Sequence, residues 1–203
     1  GRKRKDLENV TVKDALNHPN WSMGAKITVD SASLMNKGLE VIEAVHLFGV
    51  TADEIEVLVH RQSILHSAVE LCDGAVIAQL GTPDMRLPIQ YALTYPDRAD
   101  NAFRRLSLTD IGTLTFEKPD TETFKCLPLC IKAINEGGLA PTAVNGANEE
   151  AVELFLQGKI KFLQIADLVE KALAEVKNKR DFTLEDIFET DKAARKLVRD
   201  SIF

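Results

Sequence analysis

The chain has 203 residues, of which 45% are hydrophobic and 28% are charged, and its formal net charge is −6. This composition predicts a globular protein of one or two domains and differs from that of a disordered chain. The acidic balance argues against a nucleic-acid or membrane-surface partner, because phosphate groups attract clustered positive charge. No apolar run reaches the roughly 18–20 residues that span a bilayer.

The first half of the chain is predicted to mix helices and strands. Its first 50 residues give, in chain order, a short helix over 11–16 capped by Thr11, a loop over 17–25, a strand over 26–30, and a helix over 32–48 that ends at Gly49. The next elements are one or two strands within 55–71, a turn at Asp73-Gly74, a return strand over 75–81, and a helix with Pro83 in its first turn.

The second half is predicted to be helical after a connector. Residues 95–124 combine prolines and aspartates with short apolar clusters, which indicates a linker with brief strands. Helical spacing then covers 126–136, 142–157, 162–178 and 183–203. The predicted fold is therefore α+β: a partial α/β part with a small mixed sheet over 1–95, a linker over 96–122, and a C-terminal helical bundle over 123–203.

The three cysteines, Cys72, Cys126 and Cys130, indicate reduced thiols in a cytosolic setting, because their number is odd and no close pair occurs. Cys126 and Cys130 are spaced to share one helix face. No histidine lies near them, so they are predicted to be small core residues rather than metal ligands.

Polar side chains on the predicted helix 32–48 suggest a binding site. Asn36, Lys37 and Glu40 are three and four residues apart and emerge on one side of the helix. They form either a solvated helix face with a weak ion pair or a ligand site. Together with Ser31 they offer the donors that a phosphate group needs. The carboxylate of Glu40 suits Mg²⁺ or Mn²⁺.

The loop before this helix carries unusual side chains for a polar segment. The loop carries His18, Trp21 and Met23 and is punctuated by Pro19 and Gly24, and Trp21 is the sole tryptophan of the sequence. Large apolar groups on such a loop predict a lid that excludes water from a site. For two further residues, His66 and Met85, the sequence is compatible with core packing and with a place at the site.

Four peptides of the chain resemble one enzyme family. They are ALNHPNWSMGAKITVDSASLMNKGLEVIEA, LVHRQSILHSAVEL, DGAVIAQLGTPDMRLPIQYAL and TAVNGANEEAV. Together they resemble the 1-deoxy-D-xylulose 5-phosphate reductoisomerases of the non-mevalonate isoprenoid pathway. The resemblance implies a metal-assisted skeletal rearrangement of 1-deoxy-D-xylulose 5-phosphate, followed by reduction with NADPH to 2-C-methyl-D-erythritol 4-phosphate. The implied cofactors are NADPH and Mg²⁺, Mn²⁺ or Co²⁺.

The resemblance also implies roles for single residues. Ser31, Asn36 and Lys37 are similar to phosphate and substrate binders, and Glu40 to one of three acidic metal ligands. In the lid, the implied roles are substrate contact for His18, a cover over the substrate for Trp21 and Met23, and NADPH contact for Gly24. Near the substrate and nicotinamide, the implied residues are Met85 and His66.

The chain departs from the family pattern in two respects. It has no Gly-rich G-x-G-x-x-G loop for a dinucleotide, and no Asp-Ser-Glu motif, which supplies the other two metal ligands in the family. We therefore expect it to correspond to the C-terminal half of the enzyme. Residues 1–95 would then be the last part of the catalytic domain, which binds substrate and metal and forms the dimer. By itself this half is expected to be inactive.

The resemblance further implies a homodimer, a phosphorylated small-molecule substrate, and a location in a bacterial cytosol or plastid stroma. Two rival functions remain open from sequence. A non-catalytic dimerisation or scaffold module is compatible with the helical bundle. An aldolase-type lyase with Lys37 as Schiff-base nucleophile is disfavoured by Glu40 and Glu43, which favour a protonated amine.

Overall fold

The computed structural model describes residues 1–202 and builds them from ten helices and one hairpin. The helices of the first half are α1 (Arg4–Leu7), α2 (Val12–Ala15), α3 (Ala25–Ser33), α4 (Met35–Phe48) and α5 (Arg86–Thr94). The strands are β1 (Leu65–Glu70) and β2 (Val76–Leu80). The second half contains α6 (Leu108–Ile111), α7 (Cys126–Glu136), α8 (Ala140–Leu156), α9 (Phe162–Glu175) and α10 (Leu184–Asp200). A 3₁₀ turn spans Ala52–Glu54.

The described residues form two compact units. The first unit combines residues 1–18, 22–57 and 119–202, and the second combines residues 19–21 and 58–118. In the first unit, α8 is the central helix and packs against α7, α9, α10 and α3. Its core contains fully buried side chains from several of these helices, among them Val29, Met35, Val144, Ile165 and Val169.

The second unit is built around an antiparallel hairpin. β1 pairs with β2, and Gly74 takes a left-handed φ of 84° in the connecting turn. The side chain of Asp73 accepts a hydrogen bond from the N–H of Ala75, which stabilises the turn predicted at these residues. Within the described part of this unit, Ile64 is the one buried hydrophobic side chain.

The α+β class and the helical C-terminal part are confirmed. The four predicted C-terminal helices are present with small shifts of their ends, and position 203, where the last was predicted to end, lies outside the described residues. Gly137 and Gly158 follow helix ends with φ values of 68° and 71°, as expected for C-terminal stops. The sheet, predicted to be small and mixed, is a two-stranded antiparallel hairpin in the residues that the structure describes.

The strand predicted over 26–30 was wrong, because these residues belong to α3. Gly24 caps the helix in an extended conformation, and three consecutive side chains, Thr28, Val29 and Asp30, are buried in the first unit. Packing of α3 against α8 supplies the burial that overrides the β-preference of Ile27, Thr28 and Val29.

Three other predicted boundaries differ from the structure. The helix predicted over 32–48 is interrupted at Leu34, whose left-handed φ of 61° ends α3 and begins α4. α5 begins at Arg86 rather than at Pro83. Strand structure in 55–64 is limited to an isolated bridge between Val59 and Glu117.

The three predicted domains, 1–95, 96–122 and 123–203, stay a prediction. The contacts within the described chain group residues differently, since 58–118 fall in one unit that includes most of the predicted linker. Among residues 1–202, we find no helix with the length and apolarity that crossing a membrane requires.

Candidate functional site

The first turns of α4 bring three predicted site residues into direct contact. Asn36 donates a hydrogen bond from Nδ2 to Oε1 of Glu40 over 2.7 Å. Lys37 donates from Nζ to Oε2 of the same carboxylate over 2.5 Å. Both side chains of this ion pair are partly exposed, at 39% for Lys37 and 44% for Glu40. The cluster therefore presents two donors and one carboxylate at an accessible surface.

The interruption at Leu34 places this cluster at the start of a helix. Because the backbone turns there, Asn36 and Lys37 lie in the first turn of the 14-residue α4. The free N–H groups and the dipole of a helix start favour an anion. Ser31 lies near the end of α3, on the other side of the same turn. The local fold thus places Ser31 before Leu34 and Asn36 and Lys37 after it, as neutral and positive donors at the junction of α3 and α4.

A buried polar network holds α3 against α8. Asp30 accepts a hydrogen bond from Nδ2 of Asn148 over 2.9 Å and pairs with Nζ of Lys26 over 2.7 Å. Lys26 also pairs with Glu149 over 2.7 Å. Burial by itself lowers the pKa of Lys26, but the hydrogen bonds to Asp30 and Glu149 raise it above its usual value. This network fixes the residue that directly precedes Ser31.

The predicted lid residues are distributed over both units. His18 and Met23 are half-buried and belong to the first unit, as does the exposed Gly24 that caps α3. Trp21 belongs to the second unit. Within that unit, its ring centroid lies 6.3 Å from that of His66. Trp21 donates a hydrogen bond from Nε1 to Oγ of Ser63 over 3.0 Å.

His66 and Met85, which the sequence assigns either to the core or to a site, are both exposed in the second unit. His66 lies on β1 and contacts the carbonyl oxygen of Ser63 and the side-chain amide of Gln79, each over 3.0 Å. Met85 directly precedes α5 and is 56% exposed. Core packing does not account for either side chain, which leaves both accessible to a ligand.

A divalent cation fits the chemistry of Glu40, a hard carboxylate with two oxygens at an accessible position. Across residues 1–202, no three side chains of the types His, Cys, Asp and Glu group as a metal site would require. Cys126 and Cys130 are not part of the site, because both are buried, and burial raises the pKa of the Cys126 thiol to about 12.

The sequence did not single out two of these features. Ser63 carries contacts to both Trp21 and His66, but a serine within HRQSILH gives no signal of a left-handed turn. The pairing of Asp30 with Asn148 joins residues 118 positions apart. Both residues lay in the motif peptides, although spacing alone could not show that they meet.

Comparisons with known proteins place the chain in one family. Residues 80–197 match the family model described as DXP reductoisomerase C-terminal domain, and residues 1–48 match that described as 1-deoxy-D-xylulose 5-phosphate reductoisomerase C-terminal domain. The reductoisomerase of Acetivibrio thermocellus is 58% identical over all of this chain, and that of Clostridium tetani is 54% identical over 98% of it.

Solved structures of reductoisomerases have the same fold. A crystal structure of DOX-P reductoisomerase with NADPH, fosmidomycin and magnesium matches 99% of the chain with a TM-score of 0.94 and 45% identity. The Zymomonas mobilis enzyme with NADPH matches 98% with a TM-score of 0.90 and 43% identity. The chain spans about half the length of the curated relatives it matches, namely 53% and 52% of the two relatives above.

Proposed function

Because the chain belongs to the 1-deoxy-D-xylulose 5-phosphate reductoisomerase family, we propose that it forms one wall of the active site that converts 1-deoxy-D-xylulose 5-phosphate and NADPH to 2-C-methyl-D-erythritol 4-phosphate. The observation that carries the proposal is the contact of Asn36 and Lys37 with Glu40 at the start of α4. It combines donors for a phosphate with a carboxylate for a divalent cation in one accessible cluster.

Substrate binding is assigned to the donors around the turn at Leu34. The hydroxyl of Ser31, the amide of Asn36 and the ammonium of Lys37 bind the phosphate group, aided by the N–H groups that begin α4. The phosphate is a dianion and lies away from the reacting carbons. The free energy gained by binding it can therefore orient those carbons.

Glu40 is proposed to supply one carboxylate ligand to Mg²⁺, Mn²⁺ or Co²⁺. When bound, the cation polarises the substrate oxygens as a Lewis acid, and NADPH supplies the hydride. Glu40 accepts hydrogen bonds from Asn36 and Lys37, which orient its carboxylate for that task. Gly24 is the proposed NADPH contact of this chain.

Substrate contacts are also proposed for the lid residues and for two residues of the second unit. His18, Trp21 and Met23 cover the substrate and exclude water, which protects a reactive aldehyde from side reactions. His66 and Met85, both accessible in the second unit, are assigned to the neighbourhood of the substrate and the nicotinamide.

A chimera tests the function directly. The part of the Acetivibrio thermocellus enzyme that this chain does not cover is joined in front of Gly1, and NADPH oxidation is measured with substrate and Mn²⁺. We expect the chimera to turn over and residues 1–203 alone to be inactive, since Mg²⁺-type cations take about six oxygen ligands and Glu40 is the one carboxylate assigned here.

Two matched variants locate the site in the chimera. Glu40→Gln is expected to lower turnover about tenfold or more and to raise the Mn²⁺ concentration needed, because it removes a charged ligand. Glu43→Gln removes an exposed carboxylate of the same helix and is expected to change neither quantity. Equal loss in the two variants, or an inactive chimera that is folded, would contradict the proposal.

We also propose a homodimer that forms through the β1–β2 hairpin. Val69 and Ile77 are cross-strand partners and are 62% and 64% exposed, so the hairpin presents an apolar surface with little burial in its own unit. A second copy of the same surface would cover it. A bacterial cytoplasm is the proposed location, with the plastid stroma as the alternative, because the relatives named above come from bacteria.

Light scattering tests the dimer. The molar mass measured for the unsubstituted chain is expected to be twice that of a monomer. Val69→Lys is expected to lower the measured mass to that of a monomer, because it places a charge in the apolar interface. Leu184→Lys is the control, since Leu184 is 61% exposed on α10. Dissociation by both variants, or by neither, would count against the hairpin as the interface.

A further inference from the structure

Ser63 lies where two proposed site residues of the second unit meet. Its hydroxyl accepts the indole N–H of Trp21, and its carbonyl oxygen faces Nε2 of His66 over 3.0 Å. The rings of Trp21 and His66 are tilted by 54° and their centroids lie 6.3 Å apart, so they are not stacked on each other. Their mutual orientation therefore depends on the residue that contacts both.

The backbone of Ser63 is held in an unusual conformation. Its φ is 52°, in the left-handed region that a residue with a Cβ rarely adopts. A hydrogen bond from the N–H of Ser63 to the carbonyl of His60 closes the turn over 3.1 Å. Glycine suits such a position without strain. A serine here makes a contact that glycine lacks, and the contact is the bond with Trp21.

The turn contacts the loop that carries the lid residues through more than one hydrogen bond. Asn20 donates from Nδ2 to the carbonyl of Arg61 over 2.7 Å, next to the bond between Trp21 and Ser63. Arg61 is itself fixed by a bidentate pair with Glu117 over 2.7 and 3.1 Å. The turn at 60–63 thus contacts the lid loop through two hydrogen bonds, one to Asn20 and one to Trp21.

The same turn determines which nitrogen of His66 carries a proton. A carbonyl oxygen only accepts hydrogen bonds, so Nε2 of His66 must donate to Ser63. In the neutral ring, Nδ1 is then an acceptor, and the atom placed 3.0 Å from it is Oε1 of the Gln79 amide. The oxygen and nitrogen of that amide exchange places by rotation, so Gln79 can donate to Nδ1.

We propose that Ser63 is a positioning residue for the reaction: its hydroxyl orients the lid residue Trp21, and its carbonyl oxygen fixes His66 as the Nε2–H tautomer. This inference rests on the proposed function, because that function gives Trp21 and His66 their places at the substrate. Ser63 acts on the substrate through these two side chains.

Ser63→Gly separates the two contacts, because glycine keeps the left-handed backbone and the carbonyl but removes the hydroxyl. Trp21 is the sole tryptophan of the 203-residue chain, so ¹⁵N-labelled tryptophan gives one indole N–H signal from it. We expect Ser63→Gly to shift this signal and speed its solvent exchange, while the ¹⁵N shifts of His66 keep the Nε2–H pattern. Ser67→Ala, an exposed serine beside His66 on β1, is the control and is expected to leave both unchanged.

Kinetics of the chimera distinguish positioning from a merely structural contact. Ser63→Gly is expected to raise KM about two- to tenfold with a smaller change in kcat, the factor that loss of one neutral hydrogen bond produces. Trp21→Phe removes the donor of the same hydrogen bond. In the Trp21→Phe background, Ser63→Gly is therefore expected to cause no further rise in KM. Should Ser63→Gly fail to fold, Trp21→Phe carries the same comparison.

Two results would overturn the proposal. One is an indole signal in Ser63→Gly that moves no more than in Ser67→Ala. The other is a shifted signal with unchanged KM and kcat, which would leave Ser63 a structural contact. An inactive unsubstituted chimera would refute the proposed function instead, while the indole and imidazole signals would still decide whether Ser63 orients the two rings.

Discussion

Asn148→Ala is expected to lower the free energy of unfolding of the first unit by about 2–4 kcal/mol. Asn148 is fully buried and donates the one hydrogen bond that Oδ1 of Asp30 receives in the described structure. Removing it leaves a buried carboxylate oxygen without a partner and a cavity in α8. Urea unfolding followed by circular dichroism measures the loss.

The matched control is Glu149→Gln on the same helix. Glu149 contacts the same Lys26 as Asp30 does, but its side chain is 34% exposed, whereas that of Asp30 is 2% exposed. Water replaces most of what an exposed ion pair contributes, so we expect a loss below about 1 kcal/mol. A loss in Glu149→Gln as large as that in Asn148→Ala would mean that the network is stabilised by net charge and not by the buried bond.

The double variant Asp30→Ala/Asn148→Ala tests the mechanism further. Each single variant leaves a buried polar partner, but the double variant leaves neither member of the bond. We therefore expect the double variant to lose less than the sum of the two single losses. Additive losses would show that cavities, and not the unpaired polar groups, cause the destabilisation.

This network also gives TAVNGANEEAV a structural role in the family motif. Asn148 and Glu149 belong to that peptide, and both reach α3, where Asp30 directly precedes Ser31. The motif therefore anchors the helix that bears a proposed phosphate-binding residue. Loss of the anchor is expected to weaken phosphate binding as well as stability.

Sequence patterns predicted the elements whose signals are local. The hairpin turn follows from Asp73-Gly74, the cap of α2 from Thr11, and the C-terminal helices from their apolar spacing. The same spacing grouped Asn36, Lys37 and Glu40, because residues three and four apart meet on any helix.

Long-range packing explains what the sequence could not reveal. Residues 26–30 have the composition of a strand, yet they are helical, with Thr28, Val29 and Asp30 buried where α3 packs against α8. Leu34 and Ser63 adopt left-handed backbones without the glycine or asparagine that would signal them. Contacts such as Trp21 with Ser63, 42 positions apart, depend on a turn that no local pattern predicts.

Gly38→Ala is the second substitution with a large expected effect, at about 2 kcal/mol of destabilisation. Gly38 lies where α4 crosses α7, and a Cβ there would stand 2.6 Å from Sγ and 2.7 Å from Cβ of Cys130. Alanine is favoured over glycine in a helix interior by about 1 kcal/mol, but relief of the clash requires α4 and α7 to separate. Urea unfolding measures the net loss.

The partner residue supplies the decisive control. Cys130→Gly removes the two atoms closest to an alanine Cβ at position 38 and leaves the carbonyl oxygen of Cys126 at 3.4 Å, an ordinary contact distance. The double variant Gly38→Ala/Cys130→Gly therefore moves one Cβ from α7 to α4 at this crossing. We expect the double variant to be more stable than the two single losses predict, with a favourable coupling of about 1–2 kcal/mol. Strictly additive losses would place the strain somewhere other than this crossing.

The crossing also ties stability to the proposed site. α4 carries Asn36, Lys37 and Glu40 on the side away from the core, and Gly38 is the buried residue between them. A displacement of α4 by a few tenths of an ångström would move the phosphate donors and the carboxylate together. In the chimera, Gly38→Ala is therefore expected to weaken the binding of Mn²⁺ and of substrate. Adding Cys130→Gly to Gly38→Ala is expected to restore both affinities. Recovery of stability without recovery of binding would separate the helix crossing from the geometry of the site.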